Sequence, residues 1–458
     1  MAMRPHLEAH RSGALQGALP ARWLERRKLV PCRVCNELVV GGPGHVHPRC
    51  RPAARAAAPA SPGAPAGDSR DRSQHDSPTS LDDGFRMHTR TLKHVPKSCR
   101  KLWSQAVTRA IAAVLLYNVA PGVDAAPAAL KRCEDAWADF LLLPRYTLQA
   151  PTRAGKKHKH MIDSKVRNCL QRWLAGERQA PSGGRAVQSR AAAGSAAVRR
   201  RRCAGLVEEG LDGQACRALT SGGIAPSSRS VLAALKAKHP PGPAVQPVDP
   251  RVLAVVDELS TQDVLEALRS FPNGSAGGAS GWRPQHFVDA VAAPHQLAAL
   301  SALTDLVNLL ARGQAPQSLS PYLAGASLIA LAKDDDDLRP IAVGEPLRRL
   351  VSKALCKEVK EEARALFWPL QIGVASPLGC EAGVHVVGQY AERHRQSTTK
   401  VIFAADFSNV FNTVDRNAFL AACDAAFPRL SAWSRWCYGI PAHLFFSDYS
   451  LQSSGGVQ

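Results

Sequence analysis

The stretch KVIFAADFSNVFNTVDR, Lys400–Arg416, decides how this chain is read. It opens on an uncharged apolar run, Val401-Ile402-Phe403-Ala404-Ala405, which predicts a short buried strand. The run ends at Asp406, and an aromatic, Phe411, stands five residues on. Asp415 then offers an N-cap to an amphipathic helix with Phe419, Ala422, Cys423 and Ala426 on one face. A carboxylate at the end of a buried strand is costly unless something pairs with it, and a divalent ion is one such partner.

Outward from this stretch the pattern is regular. Leu328–Ala332 and Arg339–Val343 predict two strands, joined by a turn that holds Lys333 and the acidic run Asp334–Asp337. A helix over Glu345–Phe367 follows, with Leu347, Leu350, Val351, Ala354 and Leu355 on one face. Arg349, Lys353 and Lys357 lie on another face at spacing four, which reads equally as a template-phosphate surface or as a mixed solvated one. Gln371-Ile-Gly-Val precedes a helix that starts near Cys380 or Glu381 and carries Val384, Val387 and Tyr390. Upstream, the turn-rich Asn273–Gly281 leads into GWRPQHF, and Pro294–Arg312 is a long helix with Leu297, Leu300, Leu303, Val307 and Leu310. Ser260 and Asp263 form a capping-box start to a helix through Arg269. The chain closes on SSGGVQ.

Taken in order, these pieces resemble the reverse transcriptases of non-LTR, LINE-like retrotransposons. GWRPQHF resembles the opening of the fingers, the Lys333–Arg339 hairpin their phosphate clamp, and Gln371-Ile-Gly-Val their Gln-x-Gly segment. Asp406 with Phe411 resembles the first catalytic motif, and Gly455-Gly456-Val457-Gln458 the start of the motif that supports template base and nucleotide. The resemblance covers residues 255–458. It implies an α+β, mixed fold: right-hand polymerase fingers and a partial palm, preceded by a helical region and a small zinc-knuckle-like segment.

What the resemblance implies chemically is specific. Asp406 would hold magnesium or manganese. Phe411 would lie under the sugar and favour deoxynucleotides. Lys333 and Arg339 would grip the triphosphate, one as a point charge and the other as a planar fork of donors. Gln458 would face the nucleotide. The partners implied are an RNA template, a DNA primer and a deoxynucleoside triphosphate, and the activity is RNA-directed DNA synthesis. Transfer of a nucleotidyl group uses two ions, about 3.5–4 Å apart, and in the family three carboxylates hold them. The other two belong to an Asp-Asp hairpin expected beyond Gln458. Neither Asp82-Asp83 nor Asp334–Asp337 replaces it. The expectation is therefore that residues 1–458 alone do not polymerise. The alternative is a nucleic-acid-binding protein whose polymerase half is degenerate.

Nearer the N-terminus, CRVCNELVVGGPGHVHPRC places Cys32 and Cys35 at C-x-x-C spacing, followed by a Gly-rich turn. Cys50 and either His45 or His47 complete a tetrahedral zinc set, with His47 preferred. Residues 1–55 thus read as a basic terminus with a knuckle, and 56–85 as a disordered linker. Residues 86–238 read as a helical basic region, with stripes at Trp103, Val107, Ile111, Val114 and Leu115, then at Leu130, Cys133, Trp137, Phe140 and Leu141, then at Ile162, Val166, Cys169 and Trp173. Within it, Lys156–His160 and Arg199–Arg202 are candidate nucleic-acid contacts. Residues 239–254 read as a Pro-rich linker.

The composition agrees. The 458 residues carry a formal net charge of +20, which favours polyanionic partners over a membrane. No apolar run reaches transmembrane length, and the N-terminus lacks a signal-peptide core. The twelve cysteines are irregularly spaced, which predicts reduced thiols in the nucleus or cytoplasm.

Overall fold

The apolar stripes of the N-terminal helices meet the GWRPQHF segment in one core. The computed structural model describes residues 29–31, 38–40, 80–86, 90–151, 159–178, 196–220, 223–249, 252–254, 256–292, 296–332 and 337–457. In helix α1 (Arg100–Tyr117), Trp103, Val107, Ile111 and Val114 are buried. In α2 (Pro127–Leu141), Cys133, Trp137, Phe140 and Leu141 are buried, whereas Leu130 is exposed. From α3 (Lys159–Leu174), Val166 and Trp173 join them.

Trp282 is the joint. It stacks on Phe287 at 4.3 Å between ring centroids and lies 5.3 Å from both Trp103 and Phe140. Its indole N–H donates to the Phe140 carbonyl at 3.0 Å, and that of Trp103 donates to the His286 carbonyl at 2.8 Å. A buried indole N–H needs such a partner. His286 is fully buried beside them. Its Nδ1 accepts from the Arg283 N–H at 3.2 Å, so Nε2 carries the proton toward the Leu92 carbonyl at 2.8 Å. Burial pushes this imidazole down to about 3.

Helix α4 (Arg229–Ala237) is capped by Ser228, whose hydroxyl accepts from the Val231 N–H. Helix α5 (Thr261–Arg269) starts with the capping box of Ser260 and Asp263, as its sequence indicates. Helix α6 (Pro284–Ala290) carries His286 and Phe287, and α7 (Gln296–Ala311) buries Leu300, Leu303, Val307 and Leu310. Leu297, expected in that stripe, is 85% exposed at the helix start.

The chain is mixed α/β. Strands β1 (Leu29–Pro31) and β2 (Leu38–Val40) pair as a short antiparallel hairpin. A separate mixed sheet runs β4-β3-β5-β6. Its strands are β3 (Ala326–Ala332), β4 (Leu338–Gly344), β5 (Ala442–Phe446) and β6 (Tyr449–Ser453). Strands β3 and β4 form the expected hairpin, from Ala326 opposite Gly344 to Ala332 opposite Leu338. Strand β3 also pairs parallel with β5, and β5 with β6 antiparallel. Ala326, Leu328, Ala330, Leu444, Phe446 and Leu451 make a second, smaller core, which Leu235 of α4 covers.

Several expectations are corrected. Val401–Ala405 is not a strand and is not buried: Val401 is 80% and Phe403 88% exposed. An all-apolar strand needs neighbours at its edges and cover on both faces. Among the described residues, none of the sheet's four strands pairs with this run. The helix expected over Glu345–Phe367 breaks at Val359 into α8 (Pro346–Glu358) and α9 (Lys360–Phe367). The inward stripe explains the break: Leu347, Leu350, Val351, Ala354 and Leu355 are buried in α8, but only Ala363 in α9. Helix α10 (Gly379–Arg393) starts one residue before Cys380, close to its expected start, and its Val384, Val387 and Tyr390 are exposed. In α11 (Arg416–Ala426) the inward face is Arg416, Leu420 and Cys423, with Ala422 and Ala426 exposed. The i, i+4, i+7 spacing of those three gives that face directly. Helix α12 (Pro428–Tyr438) packs beside α11. Among the described residues, no helix is long and apolar enough to cross a membrane.

Candidate functional site

The segment Asp406–Val414, which includes the one-turn helix Val410–Thr413, and the turn after β6 lie side by side, and backbone hydrogen bonds join them. The Val457 N–H donates to the Phe411 carbonyl at 2.7 Å, and the Gly456 N–H to the Val414 carbonyl at 3.0 Å. Gly456 has φ +72°, and a Cβ there would collide with the Phe411 and Asn412 backbone, so glycine is required. Asn409 also takes the left-handed region, φ +56°, which Asn tolerates better than most residues. Its carboxamide oxygen accepts from Asn412 Nδ2 at 2.6 Å. The Phe411 ring is 72% exposed beside this ladder.

Beneath the turn sits Arg416, only 2% exposed. Its Nε donates to the Gly456 carbonyl at 2.8 Å. Its Nη2 donates to the Ser453 carbonyl at 2.9 Å and the Ser453 hydroxyl at 3.2 Å. Longer bonds reach the carbonyls of Tyr438 and Ile440. The guanidinium also lies over the Tyr438 ring at 5.5 Å. Burial pulls its pKa down to about 10. A buried cation held by carbonyl dipoles instead of a carboxylate costs desolvation, and a full set of hydrogen bonds offsets it. Asp415, one residue earlier, caps α11 by accepting from the Ala418 N–H at 2.9 Å.

Arg339 stands on β4 opposite Leu331 and is exposed, with no ion pair or hydrogen bond among the described residues. Asp337, from the acidic turn, pairs with Lys238 at 2.8 Å. Asp406 is exposed on its loop and likewise unpaired among the described residues. The other expected site residues, Lys333, Gln458, Cys32, Cys35, His45, His47 and Cys50, lie outside the described residues. The hairpin β1–β2 brackets the first cysteine pair in sequence, with Pro31 opposite Leu38.

Residues 238–246 bond to the Asp406–Val414 segment, to the turn after β6 and to α11, and Lys238 pairs with Asp337. The Lys238 carbonyl accepts from Asn409 Nδ2 at 2.8 Å. The Gly242 N–H donates to the Ser454 hydroxyl at 3.1 Å. The Gln246 N–H donates to Asn417 Oδ1 at 2.9 Å, and Asn417 Nδ2 donates to the Ala244 carbonyl at 3.1 Å.

The basic face of α8 is spent inside the molecule. Arg349 donates to the Ala276 carbonyl and lies over the Phe271 ring. Lys353 donates to the Ser270 hydroxyl, and Lys357 pairs with Asp263 and Glu266. These cations tie α8 to α5, which disfavours a template-phosphate role. At the start of α8, the buried Glu345 accepts from the Ser280 N–H at 2.9 Å and the Ser280 hydroxyl at 2.6 Å. Burial pushes this carboxyl up, against the pull of Ser280 and Arg145.

Sequence reasoning missed Arg416, Lys238 and the 239–246 segment as parts of the site. For Arg416 a signal exists, because it occupies an inward position of α11 in register with Leu420 and Cys423. No protein-family model matches this chain, and no curated protein matches it.

Proposed function

We propose that residues 255–458 form the fingers and part of the palm of a reverse-transcriptase-like protein, and that its site binds a deoxynucleoside triphosphate. The observation that carries this reading is the ladder between Phe411–Val414 and Gly456–Val457. The resemblance assigns the sugar-facing ring and the nucleotide-supporting turn to one site, and these segments, distant in sequence, are hydrogen-bonded neighbours. Arg339, exposed and unpaired among the described residues, is a suitable phosphate donor.

Magnesium is a harder fit. Among the described residues, no group of three or more His, Cys, Asp or Glu side chains could hold a metal ion. One carboxylate, Asp406, does not fit a two-ion centre, since magnesium sheds water reluctantly and needs fixed oxygen ligands. Binding, not nucleotidyl transfer, is the activity these residues carry by themselves. The exposed run Val401–Ala405 calls for strand partners in this reading. Zinc suits the donor set of Cys32, Cys35, His47 and Cys50, three thiols and an imidazole. An intracellular location in nucleus or cytoplasm goes with the same reading.

The test is titration of the full chain with a fluorescent deoxynucleoside triphosphate, against the ribonucleotide. Arg339→Ala should weaken both by about 10- to 100-fold, the range for one charge-assisted hydrogen bond. Phe411→Ala should narrow the preference for the deoxy sugar. Unchanged affinities in both variants reject the reading.

The second reading, nucleic-acid binding, is favoured by one patch. In the helix Ala196–Glu208, Arg200, Arg201 and Arg202 are exposed, with no ion pair or hydrogen bond among the described residues. Single-stranded RNA, an implied template, is the partner to try first.

A further inference from the structure

We propose that Lys238–Gln246 is a positioning strap for the nucleotide site: it sets Asp337 at the entry to β4, the Asp406–Phe411 segment and the Ser453–Val457 turn relative to one another, and nucleotide affinity and sugar choice depend on it. This rests on the nucleotide-site reading above. Lys238 alone joins two of the elements. Its ammonium pairs with Asp337, two residues before Arg339, while its carbonyl holds Asn409, two residues before Phe411. Gly242 then meets the third element. Its N–H bonds the Ser454 hydroxyl, and a Cβ on Gly242 would stand 2.7 Å from the Gly455 Cα. Two further bonds, through Ala244 and Gln246, fasten the strap to Asn417 on α11, one residue beyond Arg416.

The sequence suits a strap. Pro240, Pro241, Pro243 and Pro247 hold the backbone extended and stiff, so little chain entropy is lost on docking. Residues 240–249 form no helix or strand, which leaves their N–H and C=O groups free to bond other elements. Upstream the strap is anchored on the sheet. The Ala225 N–H donates to the Ala330 carbonyl, the Ala332 N–H to the Gly223 carbonyl, and α4 buries Leu235 against β3 and β5. A shift of the hairpin is therefore transmitted to the Phe411 loop through a short, stiff connection.

The experiment uses the full chain and two variants. Gly242→Val forces the strap off the Gly455 turn. Asn417→Leu removes both bonds to α11 and places a good helix former on a half-exposed helical position, so it keeps the fold if Gly242→Val does not. Hydrogen exchange is followed over 408–414 and 453–457, with 100–117 as the internal reference. Binding of a fluorescent deoxynucleoside triphosphate and its ribonucleotide counterpart is measured in parallel. The strap predicts exchange about 10- to 30-fold faster in both segments, as expected for the loss of about two hydrogen bonds, with the reference unchanged. It also predicts a smaller ratio between the two nucleotide affinities, which a uniform loss of stability would leave alone. Unchanged exchange in both segments, or an unchanged ratio where the wild type binds, overturns it. If the wild type binds neither nucleotide, the nucleotide-site reading and the strap's role in it fall together, while faster exchange in the variants would still show that the segment holds the two turns.

Discussion

Replacing Arg416 by Met keeps the volume of the stem and removes the fork. The Gly456 and Ser453 carbonyls and the Ser453 hydroxyl, bonded at 2.8, 2.9 and 3.2 Å, lose their donor. Each charge-assisted bond contributes about 1.5–3 kcal/mol, and each buried acceptor left unpaired costs about 1–3 kcal/mol. Against this, Met lifts the cost of burying the cation, which is visible in the pKa pulled down to about 10. The first effect wins because several buried acceptors lose a charged donor at once, and we expect a net loss of roughly 2–4 kcal/mol. Arg416→Lys keeps the charge but not the fork geometry, and should lose about half as much. The assay is urea unfolding followed by tryptophan fluorescence, since Trp433 and Trp436 stand on the adjoining α12. Exchange over 453–457 is measured alongside. A midpoint within about 0.5 kcal/mol of wild type, with exchange at the turn unaltered, would refute the claim that Arg416 holds it.

His286 predicts an acid limb. The folded imidazole titrates at about 3, so below its ordinary value of about 6.5 the unfolded chain binds a proton that the native chain refuses. Stability is full above that value and falls as pH drops toward 3, by up to about 1.4 kcal/mol per unit. Glu345, pushed up by burial, slopes the other way, so the contribution is read as the difference between wild type and His286→Gln across pH 4.5–7. Asp415→Ala should cost about 1 kcal/mol through loss of the α11 cap, seen as a lower unfolding midpoint. Phe403→Ser should leave that midpoint within about 0.5 kcal/mol and reduce aggregation in light scattering, because the ring is exposed. Removing Arg200, Arg201 and Arg202 together should weaken single-stranded RNA binding and lower the salt slope by roughly 0.7 for each phosphate no longer neutralised. Lys357→Met should lower stability but leave RNA affinity unchanged.

The helical half was legible because its information is periodic. Trp103, Val107, Ile111 and Val114 fall on one face wherever the helix packs, and the Ser260–Asp263 box is a local device. The β3–β4 hairpin was legible for the same reason, since two apolar runs flank a polar turn. Val401–Ala405 was not. Its composition says strand, but strand formation depends on neighbours elsewhere in the chain, and none of the described strands pairs with it. The α10 helix was legible, but the exposure of its Val384, Val387 and Tyr390 was not, because a stripe reports amphipathicity and not what covers it. The strap escaped notice because Pro-rich sequence has the same composition whether it hangs in solvent or docks. Its docking is fixed by partners such as Asn409, Asn417 and Ser454, which carry no local signal.

The most direct measurement of the central claim is photocrosslinking of an azido-deoxynucleoside triphosphate to the full chain, followed by peptide mapping. The account predicts label on the peptides that hold Phe411 and Gly455–Val457, competed by unlabelled deoxynucleotide and lost in Arg339→Ala. Label confined to other segments, or insensitive to competition, would contradict it.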